Sequence, residues 1–272
     1  MDRRFAQVDV FGAAPLLGNP VAVVLDGEGL SDADMASIAR WTNLSETTFV
    51  LPPTDPGADY RVRILTPASE LDFAGHPTLG TCHAWLAAGG TPAAGDVVVQ
   101  QSAAGLVRVR RGERLAFAAP PSTRTAPGPA VADAVAGALG IDPAVIVGSA
   151  VLDNGTDWFA LELVDADRVL AIEPDHAALQ SLPKVGVVGL TDAGLVARAF
   201  AASAGVPEDP VTGSLQASVA QWLMDEGRVP ASYVASQGTC IGRDGEVHVD
   251  RDGSDVWIGG ATVTVIEGSL SR

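Results

Sequence analysis

Two stretches of this chain each place a glycine at the start of an apolar run with helical spacing. The first is LDFAGHPTLGTCHAWL, residues 71–86, and the second is PEDPVTGSLQASVAQWL, residues 207–223. Apolar residues that recur every three or four positions predict a buried helix. The start of a helix carries unpaired N–H groups and a partial positive charge, and a glycine lets an anion approach them. Each stretch therefore predicts a helix whose opening can bind a small anion.

The two stretches belong to an approximate internal repeat. Asp72 and Asp209 lie 137 positions apart, as do Trp85 and Trp222, although the opening glycines are one position out of step. Short β-branched segments surround both stretches in a similar order. Residues 120–130, PPSTRTAPGPA, have the composition of a connection between domains. The sequence therefore predicts two related, β-rich lobes that meet near residue 120.

Charge and hydropathy exclude several classes of function. The 272 residues include 17 Lys and Arg against 33 Asp and Glu, a net charge of −16 that repels nucleic acids and anionic lipids. No run approaches the roughly 18 apolar residues of a membrane-spanning helix, and the first residues lack the apolar core of a signal peptide. We expect a soluble, cytoplasmic protein that binds neither nucleic acid nor membrane.

Cysteine and histidine usage gives no indication of a metal site. Cys82 and Cys240 have neither the spacing of metal ligands nor the density of a disulfide scaffold, and both are expected to be buried. The four histidines are scattered along the chain: His76, His83, His176 and His248. None of them forms a His-x-x-His or His-Glu-x-x-His pattern. We therefore expect chemistry without a metal.

Four ordered motifs resemble those of the PhzF-like isomerase family of phenazine biosynthesis, which shares its fold with diaminopimelate epimerase. They are DVFGAAPLLGNPVAVV at 9–24, NLSETTFV at 43–50, FAGHPTLGT at 73–81 and EDPVTGSL at 208–215. The resemblance implies an α+β fold with two pseudo-symmetric lobes, each a curled β-sheet around a central helix. The lobes would be residues 1–119 and 120–259, with a last strand at about 260–272 crossing back to the first. It also implies an active site between the lobes and no cofactor.

The resemblance assigns roles to individual residues. Glu46 is implied to be the acid/base that shuttles a proton, with His76 and Asp209 as its active-site partners, and Gly75, Gly213 and Ser214 are implied to hold the substrate. Moving a proton within an enolisable acid needs one group that acts as acid and as base in turn, which suits a carboxyl in an apolar site. The expected substrate is a small anionic carboxylic acid, and family analogy indicates a homodimer. The other three histidines are expected to lie outside the site.

One position departs from the family pattern, and two other functions compete. Gln216 stands where many members of the family have a histidine, which indicates a different substrate.

A two-cysteine epimerase or racemase of the same fold needs a thiol at both helix openings. Ala74 precedes the first opening glycine, residues 208–214 contain no cysteine, and Cys82 lies about two turns into its helix. A catalytically inactive anion-binding protein is the remaining alternative.

Overall fold

The chain divides into two compact units in the structure, a computed structural model that describes residues 2–272. The first unit contains the residues up to Ala118 together with Ile258–Arg272, and the second is Ala119–Trp257. The chain therefore completes most of the first unit, builds the second, and returns to the first for its last segment.

Within residues 2–272, nine strands and two α-helices form the first unit. The strands are β1 (Asp2–Val10), β2 (Asn19–Val24), β3 (Thr47–Leu51), β4 (Tyr60–Leu65), β5 (Glu70–Leu71), β6 (Val97–Ser102), β7 (Gly105–Arg110), β8 (Leu115–Ala118) and the chain's last strand, β18 (Thr262–Ser271), and the helices are α1 (Asp32–Thr42) and α2 (Gly75–Ala87). Strands β2 and β3 pair in parallel, as do β4 and β6. The remaining pairs, β1 with β2, β3 with β4, β6 with β7 and β7 with β8, are antiparallel.

The second unit contains nine strands and four helices. The strands are β9 (Thr123–Thr125), β10 (Ile146–Asp153), β11 (Asp157–Leu163), β12 (Val185–Thr191), β13 (Gly194–Ala201), β14 (Val206–Asp209), β15 (Ser232–Gln237), β16 (Gly245–Asp252) and β17 (Asp255–Gly260), which continues past the unit boundary. The helices are α3 (Pro129–Leu139), α4 (Ala166–Leu170), α5 (His176–Leu179) and α6 (Gly213–Asp225).

Strand pairing in the second unit repeats that of the first. Strands β10 and β11 are antiparallel, β11 and β12 parallel, β12 and β13 antiparallel, β13 and β15 parallel, and β15 and β16 antiparallel. An antiparallel strand also joins the edge of each first strand: β18 pairs with β1, and β9 pairs with β10. The predicted α+β fold with an internal repeat is therefore confirmed at the level of topology.

The structural repeat follows the opening glycines and not the tryptophans. Helices α2 and α6 have 13 residues each, and they start at Gly75 and Gly213. Trp85 is consequently the eleventh residue of its helix, whereas Trp222 is the tenth of the other. The spacing of 137 positions that the sequence indicated is therefore wrong by one residue for these helices.

Each repeated helix is buried on nearly every side, and most of its residues are small or apolar. Helix α2 packs against β1, β2, β3, β6, β8 and β18. Gly80 of α2 lies so close to β2 that a Cβ atom there would come within 2.3 Å of Val21 Cγ1. In the second unit the close contact is reversed, since Leu215 of α6 lies over Gly186 of β12. Each unit thus encloses a central helix, as predicted.

The two cysteines have different environments. Cys82 of α2 is fully buried, as the sequence predicted, but the prediction is wrong for Cys240, which is exposed. Cys240 lies in a short helical turn, Thr239–Ile241, which connects β15 to β16 at the surface. Separately, no helix within residues 2–272 is long and apolar enough to cross a membrane.

Glycine substitutions should test the packing of α2. A Cβ at Gly80 would lie 2.3 Å from Val21 Cγ1 and 3.1 Å from Val10 Cγ2, so Gly80→Ala should lower the free energy of unfolding by about 1–3 kcal/mol through overpacking. Gly137 of α3 is exposed with open space around its Cβ position, so Gly137→Ala should instead raise it by about 0.5–1 kcal/mol. Urea unfolding measures both. A stable Gly80→Ala protein would contradict this packing.

Candidate active site

Glu46 and His76 meet in the interior of the first unit. Glu46 lies immediately before β3, and His76 is the second residue of α2. His76 Nε2 lies 3.2 Å from Glu46 Oε2, and the two side chains are only 5% and 15% exposed. The predicted acid/base residue and its histidine partner are therefore brought together, in surroundings where water is largely excluded.

The tautomer of His76 follows from its second contact. The imidazole hydrogen bonds to the backbone of Pro20, and because proline has no N–H, His76 donates to the Pro20 carbonyl. Nε2 forms no hydrogen bond with any described residue, so the donating nitrogen is Nδ1. In the neutral ring Nε2 is then a bare acceptor, and it faces the Glu46 carboxyl.

Burial decides the charge of this histidine. The loss of hydration lowers the pKa of His76 to about 3, although its hydrogen bond to Pro20 acts in the opposite direction. The ring is therefore neutral near pH 7. A neutral Nε2 and an ionised carboxylate oxygen are both acceptors, so their contact is favourable when one proton lies between them. The arrangement is suited to holding a single proton on the carboxyl of Glu46.

Pro20, whose carbonyl His76 uses, lies in β2 and pairs with Asp9 of β1. Asp9 is buried, and its Oδ2 accepts a hydrogen bond of 2.9 Å from the backbone N–H of Gly18. A Cβ at Gly18 would lie 2.2 Å from the carbonyl oxygen of Val10, so only glycine allows this close approach. Asp9 and Gly18 both belong to the family motif at residues 9–24. Sequence reasoning used that motif for recognition and missed these contacts.

The start of α6 carries the predicted Asp209 in the second unit. The Thr212 hydroxyl donates a 2.5 Å hydrogen bond to Asp209 Oδ2, and Gln237 Nε2 donates to the Asp209 carbonyl at 3.0 Å. Thr212 is the N-cap residue, yet within the described chain its side chain makes no capping hydrogen bond to the helix N–H groups. The N-cap of α2, Ala74, likewise provides no side-chain cap there. The first N–H groups of both helices therefore donate no hydrogen bond to the side chain of the N-cap residue.

Ser214 is held by two residues that sequence reasoning missed. Trp158 Nε1 donates to Ser214 Oγ at 3.0 Å, and Asn154 Nδ2 donates to the Ser214 carbonyl at 2.9 Å. Because an indole N–H can only donate, Ser214 Oγ is the acceptor in this pair and its own hydrogen remains available for another acceptor. Nothing in the sequence around Trp158 indicates that its side chain hydrogen bonds to a residue 56 positions later, Ser214.

The predicted site residues thus form two groups, one in each unit. Gly75 lies beside the contact between Glu46 and His76, and Gly213 lies between Asp209 and Ser214. His83 does not belong to the first group, since its two ring nitrogens lie 3.0 Å from the hydroxyls of Thr262 and Thr264 on β18. Residues 2–272 contain no cluster of three or more His, Cys, Asp and Glu side chains that could hold a metal ion.

A family model matches nearly the whole chain. The PhzC-PhzF family, described as phenazine biosynthesis-like protein, matches residues 8–268. The chain belongs to this family. It is 36% identical to an uncharacterized isomerase of Pseudomonas aeruginosa over 99% of both chains. It is 34% identical to the trans-2,3-dihydro-3-hydroxyanthranilate isomerase of the same organism, over 92% of this chain and 91% of that one. The prediction of an isomerase is confirmed at the level of the PhzC-PhzF family.

Solved structures show the same fold. The PhzF-family protein of Bacillus anthracis matches with a TM-score of 0.85 at 23% identity, over the full length of both chains. A probable proline racemase of Agrobacterium radiobacter matches with a TM-score of 0.64 at 14% identity, covering 99% of this chain and 93% of that one. At these identities the comparison concerns the fold alone, and it confirms that this PhzC-PhzF chain has the diaminopimelate epimerase-like fold.

Because His76 is buried, the folded protein should become less stable as the pH falls below about 6.5. Its folded pKa is about 3 and the value for an unfolded chain is about 6.5, so below pH 6.5 the unfolded state binds the extra proton. Stability is therefore complete above pH 6.5 and is lost as the pH falls. Between pH 6.5 and pH 5, the free energy of unfolding of the parent should fall by up to about 2 kcal/mol more than that of His76→Gln. Urea unfolding at each pH measures this difference.

A matched variant is available for this measurement. His176→Gln removes an exposed histidine that is hydrated in both folded and unfolded chains, so this variant should follow the parent curve. Parallel curves for the parent and His76→Gln would contradict a neutral His76. They would show that the folded protein takes up the proton as readily as the unfolded chain, as an ion pair with Glu46 would allow.

Proposed function

We propose that this PhzC-PhzF chain is an isomerase that moves a proton within a small, enolisable carboxylic acid, with Glu46 as the acid/base. The observation that supports this proposal is the buried contact of 3.2 Å between Glu46 Oε2 and the neutral His76 Nε2. General acid/base catalysis needs a group that can hold and release one proton within reach of the substrate. A carboxyl that shares a proton with an imidazole acceptor has this property.

The proposed step is balanced without any change of oxidation state. The carboxylate of Glu46 takes a proton from one carbon of the substrate, and the electrons of that C–H bond shift the adjacent double bond. The same carboxyl then returns the proton to another carbon of the conjugated system. His76, fixed by Pro20, offers Nε2 as an acceptor that orients the protonated carboxyl between the two transfers. The proposed transfer uses only these side chains and the substrate.

The start of α6 is proposed to hold the carboxylate of the substrate. Gly213 begins the helix without a side chain over the first N–H groups, and Ser214 has a hydroxyl hydrogen that Trp158 leaves available. Backbone N–H groups, the helix dipole and a hydroxyl donor together stabilise an anion. Asp209, bound through Thr212, is proposed as the polar partner on the other side of this opening.

The first substrate to test is a cyclic amino acid with a hydroxyl group, because a relative at 34% identity is named trans-2,3-dihydro-3-hydroxyanthranilate isomerase. The thiol mechanism of other enzymes with this fold is disfavoured. Burial raises the pKa of the Cys82 thiol to about 12, and Cys82 is the eighth residue of α2 and not at its opening. Cys240 lies on an exposed turn between β15 and β16.

Replacing Glu46 should separate proton transfer from binding. Glu46→Gln keeps the shape of the side chain and removes its exchangeable acid, so deuterium incorporation into trans-2,3-dihydro-3-hydroxyanthranilate in D2O should fall at least about a hundredfold. Affinity for 3-hydroxyanthranilate should change by less than about fivefold. NMR and calorimetric titration measure the two quantities. Glu113→Gln, at a side chain that is 93% exposed, serves as the control and should behave as the parent.

Two results would decide against this assignment. Deuterium incorporation by Glu46→Gln within tenfold of the parent would show that another group carries the proton. Binding by the parent protein without any incorporation into a panel of cyclic amino and hydroxy acids would favour the alternative of an inactive anion-binding protein.

Ser214→Ala should weaken anion binding. Loss of one charge-assisted hydrogen bond costs about 1.5–3 kcal/mol, so affinity for benzoate should fall by at least tenfold in calorimetric titration. The variant also leaves Trp158 Nε1 without its acceptor, which should lower the free energy of unfolding by about 1–3 kcal/mol. Ser181→Ala removes an exposed hydroxyl of the same unit and should change neither quantity. Unchanged affinity in folded Ser214→Ala would place the carboxylate elsewhere.

A further inference from the structure

A hydrogen-bond network beside the start of α6 has one open end. It consists of Asp209, Thr212, Gln216 and Gln237, all in the second unit. The backbone fixes its polarity. Gln237 Nε2 faces the carbonyl of Asp209 at 3.0 Å, which only a donor can do, and Gln237 Oε1 accepts from the N–H of Thr212 at 3.1 Å. The amide of Gln237 therefore has a single possible orientation.

This orientation fixes the other members of the network. Gln237 Nε2 also donates to Thr212 Oγ1 at 2.9 Å, so the Thr212 hydroxyl directs its own hydrogen to Asp209 Oδ2. Since Gln237 Oε1 is an acceptor, Gln216 must face it with Nε2, at 3.2 Å. The oxygen of the Gln216 amide is consequently turned away from Gln237.

The outward-turned oxygen is a buried acceptor. Gln216 is 0% exposed, and its Oε1 forms no hydrogen bond with any residue from 2 to 272. An unsatisfied buried acceptor destabilises a protein unless a donor reaches it. Gln216 is the fourth residue of α6, and its amide is tied through Gln237 to the N-cap residue Thr212. The acceptor thus lies in the first turn of the helix whose opening carries Ser214.

We propose that Gln216 is a specificity-determining residue, whose Oε1 accepts a hydrogen bond from an amino or hydroxyl group of the carboxylic acid bound at the start of α6. This inference rests on the proposed function of that helix start. The donors there, backbone N–H groups and the Ser214 hydroxyl, suit a carboxylate, whereas Gln216 provides an acceptor. Together they favour an amino or hydroxy acid over an unsubstituted acid, because the latter leaves the buried oxygen unpaired.

A series of three aromatic acids tests this discrimination by calorimetric titration. Benzoate has no donor beside its carboxylate, anthranilate adds an amino group, and 3-hydroxyanthranilate adds a hydroxyl group as well. The parent protein should bind at least one of the substituted acids about fivefold to a hundredfold more tightly than benzoate. Gln216→Met keeps the length of the side chain and removes its acceptor, so the same ratio should fall to within about threefold.

Two further variants control this result. Gln216→Glu keeps an acceptor oxygen, and its buried carboxyl in the protonated form can donate to Gln237 Oε1 as the amide does, so this variant should retain the preference for the substituted acids. Gln221→Met on the same helix removes an amide whose two ends are already bonded, to the N–H of Ser122 and to the carbonyls of Pro120 and Ala217, so it should also retain the preference. Thermal melting verifies that each variant is folded.

Each outcome supports or overturns the inference separately from the proposed function. Equal affinity of the parent for all three acids, absence of binding for all of them, or an unchanged preference in folded Gln216→Met would overturn it. If Gln216→Met does not fold, Gln216→Leu, which also lacks the acceptor, is compared with the parent in the same way. A preference that depends on Gln216, in a parent that incorporates no deuterium into any acid, would support this inference and contradict the proposed isomerase.

Discussion

Near-complete burial of one helix in each unit is the constraint on which the rest of the structure depends. Strands surround α2 on several sides, and α6 is buried over most of its length. A helix in this position must be apolar or small around its circumference, and it places its positive end inside the unit and not in solvent. The chain therefore has to supply partners for those N–H groups from ligands or from nearby loops, and the candidate site residues lie at these two ends.

Polar groups that are buried with these helices are fixed by the backbone around them. Pro20 sets the tautomer of His76 because a proline carbonyl can only accept, and the backbone of Asp209 and Thr212 sets the orientation of Gln237. Trp158 acts in the same way on Ser214. In each case a group that can only donate, or only accept, fixes the direction of a hydrogen bond made by a side chain that can do both.

Much of the fold could be predicted from the sequence, because it depends on local patterns. Apolar periodicity and opening glycines predicted the starts of α2 and α6. The exposed position of Cys240 was missed, since burial of a turn residue depends on what packs over it. The alignment of the repeats was also wrong by one position, because Trp85 and Trp222 do not occupy equivalent positions in their helices.

The sequence by itself determined the family, the two central helices and the candidate residues Glu46 and His76, since ordered motifs and residue periodicity are properties of the chain alone. Tertiary structure alone decided that His76 is neutral, that Trp158 directs the hydroxyl of Ser214, and that Gln216 keeps one acceptor open. The physical reason is that charge and hydrogen-bond direction depend on desolvation and on partners far away in sequence. Residue identity supplies a polar group, but only the packed environment fixes its protonation and its partner.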